Sequence, residues 1–197
     1  MKKMNEILQE VSTRVGSDNN TLVEVLSLAI ELVLQGREGH KVGTMFIVGD
    51  SDKVMDHSCT LILDPLFGHP VYEKRIYDPD MRETVKELAQ LDGAFIVSEE
   101  GVVLSASRLV GTSSVDIDIP RGLGSRHYAA ASITRATKAT AVVISKSSVI
   151  RVFHNGALVS EVMPQKWFLS DYMVHLIPPY SERSEHDITV LIQINSS

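Results

Sequence analysis

The chain lacks several things, and each lack excludes something. Cys59 is its only cysteine, so no disulfide can form within it, which fits a reducing compartment. No stretch approaches the roughly 18 consecutive apolar residues that a membrane span needs. MKKMNEILQE begins with basic residues but has no apolar segment behind them, so no secretory signal is expected there. Positive charge is in deficit, with 19 Lys and Arg against 25 Asp and Glu and a net charge of −6 at pH 7. That balance argues against general binding to nucleic acid or to an anionic membrane. The expectation is a cytoplasmic protein with neither as a partner.

The most informative shortage is local. Between Ile119 and Ser160 there is no Asp or Glu, although average usage would place about five in that window. The same window carries Arg121, Arg126, Arg135, Lys138, Lys146 and Arg151. An acidic chain that keeps one stretch purely basic is suited to hold a small anion there.

What is present has ordinary globular composition, 44% hydrophobic and 22% charged, over a length that suits one good-sized domain. Ile7, Leu8, Val11 and Val15 recur at helical spacing. A second helix is predicted from Thr21, with Glu24 completing a capping box, to a stop at Gly36. Val42 to Val48 reads as a buried strand, 51–60 as polar turns, and Cys59 to Leu63 as a further strand. Asp78-Pro79 opens a helix that runs to about Gln90. Ala94–Val97 and Val102–Leu104 form a hairpin, and 105–121 reads as irregular. A helix follows from Ser125, then strands at 140–145 and 149–153 and a tight turn at Asn155-Gly156. Beyond it, Trp167 and Phe168 are expected to pack as a satellite cluster. Ser181–Asp187 reads as a loop and Ile188–Ile194 as a last strand. The fold class is α/β, with a mixed central sheet flanked by helices.

Two short pieces carry candidate chemistry. In Gly122-Leu123-Gly124-Ser125-Arg126-His127, glycines allow close backbone approach to a ligand. The helix that follows points its positive end at the same place, and Ser125, Arg126 and His127 add a hydroxyl, a guanidinium fork and an imidazole. No Gly-Lys-Ser/Thr follows, so this is not a Walker loop. Asp92-Gly93 places a carboxylate at the mouth of a strand, able to hold Mg²⁺ or Mn²⁺ or to accept a hydroxyl proton. Taken singly, each piece also has a plain reading, as a turn or a helix cap. The histidines and Cys59 show no zinc-ligand spacing.

Together the two pieces resemble a known family. Leu91-Asp92-Gly93-Ala94 and Gly124-Ser125-Arg126-His127, followed by an Ala-rich helix, the strand Ala141–Ser145 and Asn155-Gly156, are similar to the diadenylate cyclase (DAC) domain. The resemblance implies condensation of two ATP into cyclic di-AMP with release of two pyrophosphates, across two domains that face each other. It implies a divalent metal, Mn²⁺ or Mg²⁺, a homodimer and a higher homo-oligomer. By resemblance Asp92 binds the metal and helps activate the 3′-hydroxyl, and Gly93 and Ala94 keep that turn close to the nucleotide. Ser125, Arg126 and His127 follow Gly124 as the triphosphate turn, with Arg126 and His127 counted as catalytic beside Asp92. Ser145 also reaches phosphate, and Leu109 lies near adenine. The implied division is N-terminal helices over 1–38, the DAC domain over 39–160, and a packed C-terminal extension over 161–197. Two positions depart from the family pattern. Tyr128 stands where a second arginine is usual, with Arg135 or Arg121 as candidate substitutes, and Lys146 stands where glutamate is common. These departures leave a non-catalytic ATP or cyclic di-AMP sensor as the alternative.

Overall fold

The central strands are apolar along their whole length because both faces of the sheet are covered. β1 (Thr44–Val48), β3 (Ala94–Val97) and β5 (Thr140–Ile144) are buried at every position. Successive residues alternate between two cores. Phe46, Phe95, Val142 and Ile144 face one core, and Met45, Ile47, Ala141 and Val143 face the other. Phe46 and Phe95 lie opposite each other on β1 and β3 and stack with ring centroids 5.0 Å apart.

The computed structural model describes residues 2–16, 20–36, 40–111, 117, 119–164 and 174–194. The first core is closed by α1 (Lys2–Arg14), α2 (Asn20–Gln35) and α4 (Pro79–Leu88). The second is closed by α5 (Ser125–Ala136) and the short α3 (Ser51–Asp56). Ala130 and Ala131 are fully buried, and their small side chains let α5 lie close on the sheet. The remaining strands are β2 (Ser58–Thr60), β4 (Val103–Val110), β6 (Ile150–His154), β7 (Ala157–Pro164), β8 (Tyr180–Glu185) and β9 (Ile188–Gln193). Among the described residues they form one nine-stranded sheet in the order β2-β4-β3-β1-β5-β6-β7-β9-β8. Only β1 and β3 run parallel; every other pair is antiparallel. The expected mixed α/β architecture, a central sheet flanked by helices, is the one observed.

Several local expectations are corrected. Thr21 lies inside α2, not at its cap, because its hydroxyl bonds the Glu99 carbonyl and the Tyr77 hydroxyl. α2 is buried on more than one side, with Val23, Leu28 and Leu32 enclosed as well as Leu22, Val25 and Leu26, since α1 also packs on it. Residues 51–60 form α3 and β2 instead of turns. β4 continues to Val110 through what read as irregular chain. The polar run from Ser181 is strand β8, an edge strand whose polarity reflects exposure. Trp167 and Phe168 lie outside the described residues.

The registers decide where a site can form. Thr44 pairs with Ile144, Met45 with Ala94, and Ala94 with Arg108. The starts of β1 and β3 and the ends of β4 and β5 therefore share one edge of the sheet. α5 begins at that edge.

Candidate active site

A cavity of about 450 Å³ opens there. Its walls come from five places: Met45 on β1, the Asp92-Gly93 turn, Arg108–Val110 at the end of β4, Gly124–His127 at the start of α5, and Val143, Ser145 and Lys146 at the end of β5. Asp92, Gly93, Leu109, Gly124, Ser125, Arg126, His127 and Ser145 are thus brought together. Ala94 is not among the lining residues; it is 1% exposed and packs in the second core behind the turn.

Gly93 and Gly124 meet different needs. Gly93 adopts φ +104 because the start of β3 crosses the backbone of β4: a β-carbon would lie 2.6 Å from the Ser107 carbonyl carbon. Gly124 is the extended N-cap of α5, has open space around it and makes no side-chain cap, which leaves the helix start clear.

Asp92 is exposed, and its Oδ1 accepts from the Arg126 guanidinium at 3.1 Å and from the Gly93 N–H at 3.0 Å. Among the described residues Oδ2 has no partner. The carboxylate and the cation of the helix start are thus already in contact across the cavity mouth. Ser145 lies at the end of β5, its hydroxyl 2.6 Å from that of Ser147. Leu109 is 52% exposed and, with Met45, Val110 and Val143, forms an apolar wall suited to a flat ring.

His127 is 7% exposed. Its Nε2 lies 3.4 Å from the Arg151 guanidinium, and its Nδ1 is buried without a partner among the described residues. Burial, reinforced by the positive charge of Arg151 and Arg126 and by His175, pushes its pKa down to about 4. The ring is therefore neutral at physiological pH.

Of the six basic residues in the acid-free window, Arg126 and Lys146 line the cavity. Arg135, proposed as a substitute at Tyr128, is at the far end of α5 and bonds Asn155. Arg121 is exposed and outside the lining. Lys138 lies at the other end of β5, and Arg151 is buried against Glu161. Besides Arg126, Lys146 is a cation lining this cavity, and the two crowd Gly43 closely enough that a β-carbon there would meet both.

A family model described as DisA bacterial checkpoint controller nucleotide-binding, DAC, matches residues 31–158. The chain belongs to the DAC family. A diadenylate cyclase of Methanocaldococcus jannaschii is 47% identical over 146 residues, covering 74% of this chain and 46% of that protein. A diadenylate cyclase of Haloferax volcanii is 41% identical over 152 residues, covering 77% of this chain and 55% of that protein. The chain spans about half the length of these curated relatives. Among solved structures, a hypothetical membrane spanning protein from Bacillus cereus gives a TM-score of 0.53 at 17% identity, covering 71% of this chain and 62% of that one. That likeness shows a shared fold.

Arg108 on β4, which the sequence reading missed, lines the cavity, but its guanidinium is committed to the Ser58 carbonyl at 2.8 Å and to Ser58 Oγ, tying β2 to β4. The Arg151, Glu161 and His175 cluster behind His127 was also missed. Its signal was a single charge inside each of two apolar strands, β6 and β7.

Proposed function

We propose that this chain is a diadenylate cyclase, condensing two ATP into cyclic di-AMP and two pyrophosphates. One observation carries the reading. An exposed carboxylate, Asp92, meets a glycine-started helix bearing Ser125 and Arg126 across one cavity at the sheet edge. The archaeal relatives named as diadenylate cyclases support it.

In this reading adenine lies along Leu109 and the apolar wall. The triphosphate lies against the start of α5, held by backbone N–H groups, the Ser125 hydroxyl and the Arg126 fork, with Ser145 and Lys146 on the β5 side. The 3′-hydroxyl oxygen of one nucleotide attacks the α-phosphorus of the other. That P–O bond forms as the bond to the pyrophosphate oxygen breaks, and the hydroxyl proton leaves toward Asp92 Oδ2. One cavity takes one nucleotide, so two copies of the chain must face each other; a homodimer, within a larger homo-oligomer, is part of the proposal. So is a cytoplasmic setting without nucleic-acid or membrane partners. No described helix is long and apolar enough to cross a membrane.

The donor set also bears on the metal. Among the described residues no group of three or more His, Cys, Asp or Glu could hold an ion. A lone carboxylate fits Mn²⁺ or Mg²⁺ shared with substrate phosphates, and does not fit a resident all-protein cage. Asp92 is the residue that would hold it, and when bound it supplies charge neutralisation at the phosphates.

The second reading, a non-catalytic sensor, is favoured by Tyr128 and Lys146. The two separate cleanly. Purified chain incubated with ATP and Mn²⁺ or Mg²⁺ is expected to yield cyclic di-AMP, seen by chromatography and mass, with two pyrophosphates per product. ATP binding without either product would establish the sensor.

A further inference from the structure

Behind the cavity wall one guanidinium meets three side chains. Arg151 is 2% exposed and Glu161 is 0% exposed. They face each other across β6 and β7, with Arg151 Nε donating to Glu161 Oε1 at 2.7 Å. The other two nitrogens of Arg151 meet imidazoles: one lies 3.4 Å from His127 Nε2, the other 3.2 Å from His175 Nδ1. Glu161 Oε2 in turn accepts the backbone N–H groups of His175 at 2.8 Å and Leu176 at 3.2 Å.

Arginine has donors only and keeps its charge. A ring nitrogen facing it must therefore offer a lone pair. That makes Nε2 of His127 an acceptor and leaves the ring's single proton on Nδ1. This nitrogen is buried, unpartnered among the described residues, and belongs to a ring on the cavity wall at the first turn of α5. A buried donor without an acceptor is unfavourable, and a ligand oxygen at the helix start removes that penalty.

We propose that Arg151, Glu161 and His175 are positioning residues that hold His127 as the neutral, Nδ1-protonated imidazole, so that Nδ1–H is the donor it offers to a nucleotide phosphate. This rests on the nucleotide-binding reading above. It also gives the chain beyond the matched family region a role in the site, since Glu161 and His175 both follow residue 158. The charged and titratable groups facing the ring are Arg151 on β6, Arg126 on its own helix and His175, with Glu161 behind Arg151. Burial disfavours a charged ring, and a further cation beside Arg151 and Arg126 is disfavoured as well, which keeps the ring neutral.

The test reads the imidazole directly, by ¹⁵N NMR of histidine-labelled full chain, beside the dissociation constant of a non-hydrolysable ATP analogue. The wild type is expected to show a pyrrole-like Nδ1 and a pyridine-like Nε2 at pH 7, with the Nδ1 resonance moving on analogue binding. Arg151→Met with Glu161→Gln removes both charges, and the amide oxygen keeps an acceptor for the His175 and Leu176 N–H groups, so the fold is expected to persist. In that variant both tautomers should populate, the His127 midpoint should rise above about 4 while burial still holds it below 6.5, and analogue affinity should fall about tenfold. Wild-type His127 that is Nε2-protonated or cationic at pH 7 would overturn the proposal. So would a folded double variant with unchanged tautomer and affinity. Neither readout depends on turnover, so the absence of cyclic di-AMP would count against the proposed function and leave this test standing.

Discussion

At residue 93 the backbone conformation and the chemistry meet. A side chain there would be strained at φ +104 and would collide with the backbone at Ser107 and Arg108, neither of which is a flexible end that can move aside. Gly93→Ala is therefore expected to destabilise the fold by roughly 2 kcal/mol or more. It should lower turnover further than stability alone explains, because Asp92 is displaced with the turn. Urea unfolding beside an activity assay checks both. Asp-Gly was legible in the sequence as a turn, whereas the reason it must be glycine was not, because the colliding atoms come from β4. The same limit applies to charge. Arg151 read as one of six cations open to a ligand, yet it is buried against Glu161, the first acid after the acid-free window closes. Pairing across strands is a tertiary event that a linear window cannot reveal.

At the scale of elements, α2 and α4 are joined by a charge cluster over their apolar contact. Lys86 bonds Glu31 at 2.8 Å and Glu83 at 2.7 Å, and Arg82 bonds Glu24 and Glu31. Burial alone would raise the Glu31 pKa, but hydrogen bonds from Lys86 and Arg82 outweigh it and hold the carboxyl below its usual 4.5. A depressed carboxylate pKa contributes stability that is present above the unfolded value and is lost as pH falls through the folded one. Glu31→Gln is thus expected to lower stability at pH 7 by roughly 1–2 kcal/mol. The difference from wild type should shrink as pH drops below 4.5, which urea melts across pH would show. Elements with a strong local signal were legible. Asp78-Pro79 caps α4 as expected, with Asp78 accepting the Asp80 N–H, and Gly36 ends α2 at φ +63. α3 and β8 were not, because α3 is a single short piece with one buried apolar residue, and β8 is an exposed edge whose pattern is that of a loop.

For the whole molecule, the site is a product of the sheet's register, and the two motifs meet because β1 and β3 start where β4 and β5 end. That convergence was legible from the motifs' resemblance, and β9 was legible as a last strand, while β7 and β8 were not, since Ser160 and Glu161 interrupt the apolar run of β7 and β8 is polar throughout. On the proposed reading, catalysis takes place between two facing copies, so activity is expected to depend on assembly. Specific activity is expected to fall as enzyme is diluted toward its dimer dissociation constant, and sedimentation at the same concentrations should show protomers separating in step. Asp92 carries the central claim, and replacing it by asparagine keeps the shape of the turn while removing the charge. The decisive measurement is cyclic di-AMP formation by Asp92→Asn beside wild type, with ATP affinity measured on both. The account predicts product from wild type, product reduced at least a thousandfold in the variant, and ATP binding retained. Undiminished product from Asp92→Asn would contradict it.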